Sequence, residues 1–352
     1  MTHTTTHTLT HGRGDVEVGR GEVEVTQITT DRGIGQPRRS VPLLKVHEGE
    51  TTVSQGVRRG YKWVDRELAR MDPDTDWERM ISLYVGHRVP EFALAMMVYP
   101  GTMRMMQPGF GAATLAHTGK LETRPRRRFE DGNEFLMAWM VDGLSSAAGR
   151  EAAERLNRIH LAIARATPHL PGNFDDVDDF VYPLVLLATS ADRLQTSLGL
   201  PGTSENMKTA WHRWAQTLFR LLERESGPLA DETFPEDWDA MTEFALKFES
   251  RPYEETESGH RVATAMMEFF AEYWFPIPLR AFGRDLTRYL AGERVCRLHR
   301  IGWLSPRRER AVRAFLKSAF LAQRLLPDYR RPLPERLRRT RRRPPATSPS
   351  PR

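Results

Sequence analysis

An all-α fold, one multi-helix globular domain between two tails, is what the sequence predicts. Three observations carry this. Apolar residues recur at spacings of three and four through most of the middle of the chain. Runs that alternate apolar and polar residues are almost confined to residues 21–28. Helix punctuation, with Asp, Ser or Thr before the periodic runs and Pro after them, recurs along the whole middle. The chain has 352 residues, 39% hydrophobic and 28% charged, enough for a sizeable core. Its net charge of +6 owes much to an arginine-rich end. A single cysteine, Cys296, excludes an internal disulfide framework and cysteine-based zinc or iron–sulfur sites, and points to a reducing, cytoplasmic setting. The first residues lack the basic-then-apolar order of a secretory signal, and no apolar run approaches the length of a spanning helix.

Residues 1–55 are rich in Thr, Gly, Val, Glu and Arg and predict a mostly disordered arm. His3, His7 and His11 are spaced for a metal on a helix, but their threonine-rich surroundings oppose one. The folded domain is expected over residues 56–326. Val64, Leu68 and Met71 open it as a helical stripe. The Asp72-Pro-Asp-Thr-Asp76 turn offers caps to a helix from Trp77. An apolar segment over 89–100 and a short helix over 102–107 follow, then the loop Pro108-Gly-Phe-Gly111. Met96, Met97, Met103, Met105 and Met106 cluster here, as adaptable core or as the wall of an apolar pocket. Arg124 to Arg128 form a basic loop, a solvated patch or an anion clamp, that enters a helix near Asp131.

Residues 149–166 form the clearest amphipathic helix, with Ala153, Leu156, His160 and Ile163 on one face. Thr167-Pro168 stops it. A histidine on such a face is either a core imidazole with both nitrogens satisfied or an axial ligand to a buried haem iron; spacing does not choose. Beyond an acidic loop at 171–179, helices are expected through Leu187 and over 205–223, 234–248, 260–273, 280–290 and 307–325. Residues 327–352, rich in Arg and Pro, predict a disordered tail that binds anions without forming a dedicated nucleic-acid site.

Four phrases in this order resemble one family, the MpaB-like haem b oxygenases that include the rubber-cleaving latex clearing proteins. They are Asp65-Arg-Glu-Leu-Ala-Arg-Met-Asp-Pro-Asp-Thr-Asp76, the stretch from Leu115-Ala-His-Thr-Gly to Arg128-Phe-Glu-Asp131, Leu156-Asn-Arg-Ile-His160 and Asp178-Asp-Phe-Val-Tyr182. The resemblance spans residues 64–331. It implies an all-helical domain enclosing haem b, with His160 as axial ligand to the iron. Arg128, with Arg127, is implied to stabilise propionates or bound oxygen, and Asn157 lies beside the ligand. A histidine ligand needs an acceptor for its second ring nitrogen, and a backbone carbonyl or a carboxylate such as Asp178 or Asp179 is expected to supply it. In the rubber-cleaving branch a lysine and a threonine follow the arginine; here those positions hold Asp131 and Gly132, and Asp131 is a candidate for proton handling. The implied activity is O2-dependent oxidation of an apolar small molecule, with C=C cleavage as one form. A haem-free helical scaffold with a basic, anion-binding tail and a non-catalytic haem protein are the alternatives.

Overall fold

The computed structural model describes residues 60–170 and 174–341. The three histidines of the arm, its alternating stretch and the end of the arginine-rich tail lie outside the described residues. Among the described residues the chain is helical apart from one short antiparallel pair, Glu223–Arg224 with Gly227–Pro228. The helices are α1 (Trp63–Leu68), α2 (Trp77–Arg88), α3 (Glu91–Met105), α4 (Gly109–Thr118), α5 (Lys120–Thr123) and α6 (Pro125–Met137). A π-helical turn, Ala138–Asp142, continues α6 and leads to α7 (Ala147–Ala166) and α8 (Asp178–Ser197). Then come α9 (Glu205–Arg220), α10 (Trp238–Ser250), α11 (Glu257–Trp274), α12 (Arg280–Ala291), α13 (Glu293–Leu298), α14 (Pro306–Leu325) and α15 (Leu333–Arg341).

Local chemistry sets these boundaries. Ser146, Asp237 and Thr256 cap α7, α10 and α11 by accepting from Gly149 N, Ala240 N and Gly259 N at 3.0, 2.8 and 3.0 Å. The π turn leaves carbonyls out of the α ladder, and side chains collect them: Trp214 Nε1 donates to Trp139 O at 3.1 Å and Ser82 Oγ to Val141 O at 2.7 Å. The structure departs from the sequence expectation in three places here. Residues 89–107 form essentially one helix, which carries Pro100 in its interior. The supposed loop after Pro108 is α4 and α5. The basic run is also helical, because Pro125 sits at the first helical position, where its fixed φ suits and its missing N–H costs nothing.

Two apolar cores meet along α3, α6 and α8. The first gathers α2, α7, α8, α9 and α10 around Ile81, Val185, Trp214, Leu218 and Met241. The second gathers α4 and α11–α14 around Met103, Val262, Met266, Phe270 and Leu286. Helix α6 gives Phe129 to the second core and Leu136 and Met137 to the first, so its polar face runs along the seam. A polar knot also crosses the seam. Glu249 accepts two bonds from Arg193 (2.8 and 2.6 Å), one from Arg104 (3.3 Å) and one from the Tyr182 hydroxyl (2.9 Å). Burial opposes its charge, yet the Arg193 hydrogen bonds and the two arginine charges hold its carboxyl below the ordinary range.

The folded body extends past residue 326, against the expected tail boundary. Asp328 accepts from Val64 N at 2.8 Å and pairs with Arg88 at 3.0 Å. Leu333 and Leu337, four apart on α15, are buried in the first core, and the Arg336 guanidinium lies 3.7 Å from the Tyr329 ring centroid. Leu333, Leu337, Asp328 and Arg336, which donates to Val89 O at 2.8 Å, together dock a segment whose composition is otherwise that of a disordered tail.

Candidate functional site

Helix α7 presents His160, and its entry is fixed tightly. A Cβ at Gly149 would lie 2.0 Å from the Gly143 carbonyl oxygen, so only glycine lets the first turn of α7 close on that carbonyl. About three turns on, the His160 imidazole enters a layer of aromatic rings. Phe174 lies flat on it, with centroids 4.1 Å and planes 16° apart, and Phe180 meets it edge-on at 6.1 Å. Neither ring nitrogen has a hydrogen-bond partner among the described residues: Nδ1 is buried and Nε2 keeps accessible surface. Burial, and then the charge of Arg128, pull the imidazole pKa down to about 4, so the ring is neutral at pH 7. A ring stacked on the imidazole face leaves its in-plane lone pair free.

Arg128 stands on the second turn of α6. It makes no ion pair or side-chain hydrogen bond among the described residues. Its side chain is accessible to water, yet desolvation lowers its pKa, with Asp131 and Tyr99 acting in the opposite sense. Asp131 and Gly132 follow at i+3 and i+4 on the same face. A Cβ at Gly132 would come within 3.2 Å of Arg128 Nη1, so the guanidinium lies back along its own helix over the glycine.

The structure thus brings His160 and Arg128 into electrostatic reach of each other, with Asp131 beside Arg128. Arg127, about 100° round the helix, is exposed and has no ion pair among the described residues. Asn157 serves the fold: its amide donates to Leu221 O at 2.9 Å and accepts from Glu223 N at 3.1 Å, which ties α7 to the end of α9. Neither a backbone carbonyl nor a carboxylate accepts from His160 among the described residues. Asp178 pairs with Arg251. Asp179 makes no bond to His160; its buried Oδ2 has no partner, and burial followed by the charges of Asp176 and Asp178 raises its carboxyl to about 8.

Sequence reasoning missed Phe174, Tyr99 and Asn133. Tyr99 on α3 is 2% exposed, stacks on Phe129 at 5.2 Å, and its buried hydroxyl has no partner. Asn133 is 2% exposed with both ends of its amide unpartnered. No periodicity marks these residues, because a polar group inside an apolar stripe has the same spacing whether or not it is satisfied. The methionines do not wall this site. Met103 and Met106 are core, whereas Met96 and Met97 line a separate cleft of about 1780 Å³ between α3, α8 and α14, which neither His160 nor Arg128 lines. Cys296 is buried with its thiol pushed up to about 12 by desolvation, an inert state. No helix among the described residues is long and apolar enough to cross a membrane.

Comparison with protein families matches residues 86–320 to the catalytic domain described as ER-bound oxygenase mpaB/B'/Rubber oxygenase. The match contains α3–α13 and most of α14, with Arg128 and His160 inside it. Among solved structures, latex clearing protein LCP in the closed state aligns with a TM-score of 0.52 at 18% identity, over 76% of this chain and 71% of that one. At that identity the likeness shows a shared all-helical fold. The curated proteins include no match. Because the family model covers well over half of the chain, the protein belongs to the mpaB and rubber oxygenase catalytic-domain family, and its class is that of an oxygenase, an oxidoreductase.

Proposed function

We propose that the chain is a haem b-dependent oxygenase that uses O2 to oxidise an apolar small molecule in a cytoplasmic setting. One observation carries this reading: His160 is a neutral imidazole with both nitrogens unpartnered among the described residues, on a packed helix, within electrostatic reach of an unpaired arginine. A packed histidine engages at least one ring nitrogen, as His87, His212, His260 and His299 of this chain do with one nitrogen each on a backbone carbonyl at 2.9, 2.8, 3.0 and 2.8 Å. His160 breaks that pattern, and the donor set fits a haem.

His160 is the residue to hold the iron, and Phe174 fixes the plane of its ring. When bound, haem supplies O2 activation and the electron chemistry of oxidation. Arg128 offers a fixed cation with unspent donors for a propionate or for negative charge developing on oxygen. Gly132 leaves room for that guanidinium. Asp131, one turn on, is the carboxylate placed to hold or pass a proton beside it. Phe174 and Phe180 surround the imidazole with aromatic rings, and Phe129 is buried next to Arg128 in the chain, which favours an apolar substrate.

The test is a visible absorption spectrum of wild type and His160→Ala, each produced with a haem precursor. Wild type is expected to show a Soret band that His160→Ala loses or shifts. Colourless wild type that stays colourless after haem addition removes the reading.

A further inference from the structure

Four consecutive apolar residues, Pro276, Ile277, Pro278 and Leu279, are all exposed between α11 and α12. Ile277 is 78% exposed and Leu279 51%, and Tyr273 at the end of α11 is 40% exposed. Single exposed apolar side chains are ordinary on a protein surface, but an unbroken run flanked by an aromatic ring is not. The run is also stiff. Ile277–Leu279 is a 3₁₀ turn, and Pro276 and Pro278 each fix one backbone angle. The tip is therefore held outward and does not fold back onto the protein.

Cations stand beside it. The Arg126 guanidinium lies 6.0 Å from the Tyr273 ring centroid, which puts the first turn of α6 against the same surface. That turn also brings Arg124 and Arg127, both exposed and without an ion pair among the described residues. Arg280 and Arg284 follow the tip on α12, paired at 3.7 and 2.8 Å with Glu272 and Glu268. An apolar wedge with an aromatic shoulder and an arginine rim is the composition that settles at the boundary between lipid headgroups and acyl chains.

We propose that the 276–279 tip docks the protein onto the surface of a membrane that carries anionic lipid. A second copy of the chain is a poorer occupant. The wedge offers a few short side chains and one ring, well short of the roughly 800 Å² per partner that a stable protein pair buries. The inference does not depend on haem. It does bear on the proposed reaction, because the Tyr273 ring is 6.4 Å from that of Phe129, the neighbour of Arg128. Docking at the tip brings molecules dissolved in lipid close to the candidate site.

The experiment is flotation of the full-length protein with vesicles of phosphatidylcholine alone and with about 30% phosphatidylserine added. Wild type is expected to float with the anionic vesicles and more weakly with the neutral ones. Ile277→Asp combined with Leu279→Ser should bind both at least about tenfold more weakly, with an unchanged thermal melt because both side chains are exposed. Arg124→Glu combined with Arg126→Glu should weaken binding to the anionic vesicles only. Wild type that binds neither vesicle overturns the proposal. So does equal binding by wild type and the tip variant, since the arginine-rich end would then hold both by charge alone. A concentration-dependent dimer lost in the tip variant, without vesicle binding, reassigns the tip to a second copy.

Discussion

The ring of Phe174 covers one face of the His160 imidazole, 4.1 Å away and 16° from parallel. No hydrogen bond orients this histidine, so the stack does. Phe174 also has a φ of +56°, a region that bulky residues avoid, and the strain is held in place by packing around the ring. Phe174→Ala removes the stack and leaves the imidazole free to rotate. Haem loss from the reconstituted variant to an excess of apo-globin acceptor is expected on the order of tenfold faster than from wild type, the scale at which groups that orient a metal ligand act. Equal rates would show that α7 alone fixes the ligand.

Two buried groups give the haem-free fold opposite pH dependences. The imidazole of His160 titrates near 4 when folded and near 6.5 when unfolded, because burial and the charge of Arg128 disfavour its cation. Between those values the unfolded chain binds a proton that the folded chain does not, so stability falls as pH drops from 6.5 to about 4. The full difference is on the order of 3 kcal/mol. Asp179 runs the other way: its carboxyl titrates near 8 folded and near 3.8 unfolded, so its contribution falls as pH rises through that window. Urea melts across pH 4–8 read both effects. His160→Gln should flatten the acid-side loss, and Asp179→Asn should gain about 1–3 kcal/mol over wild type above pH 8. Curves parallel to wild type would mean that neither group is buried as described.

The helical class and most helices of this chain can be read from apolar spacing, because a helix that packs on one face must repeat near every third or fourth residue. Helix α7, with Ala153, Leu156, His160 and Ile163, is legible apart from its first two residues. Three things are not. Helix α6 begins at Pro125, earlier than its hydrophobic pattern suggests, because the first turn carries arginines that look like a loop. Helix α15 is masked by its own arginines although Leu333 and Leu337 are buried. The neighbour of His160 is not local: Phe174 comes from a segment with no period, while Asp178 pairs with Arg251 and Asp179 makes no bond to the imidazole.

Gly132 sets the position of Arg128, and Gly132→Ala separates stability from function. The new Cβ would sit 3.2 Å from Arg128 Nη1, so the guanidinium must move by a few tenths of an ångström. Replacing a mid-helix glycine by alanine raises helix stability by about 0.8–1 kcal/mol. The variant is expected to melt higher than wild type while the ferrous carbonyl complex of the haem-loaded protein shows a shifted C–O stretch and substrate turnover falls. A higher melt with an unchanged stretch would place the Arg128 guanidinium away from the iron ligand.

Tyr99 keeps a hydroxyl buried without a partner, next to Phe129 and within electrostatic reach of the unpaired Arg128. A buried donor with nothing to bond costs on the order of 1–3 kcal/mol, and a fold retains one where a ligand completes it. Tyr99→Phe deletes the oxygen and nothing else. The haem-free variant should therefore be at least as stable as wild type, by up to about 1 kcal/mol. In the haem-loaded protein the same change should speed the release of cyanide from ferric iron, because a donor near the bound anion is gone. If stability rises but cyanide release is unchanged, the hydroxyl faces the aromatic layer of α11, and Arg128 is left as the donor on that side of the site.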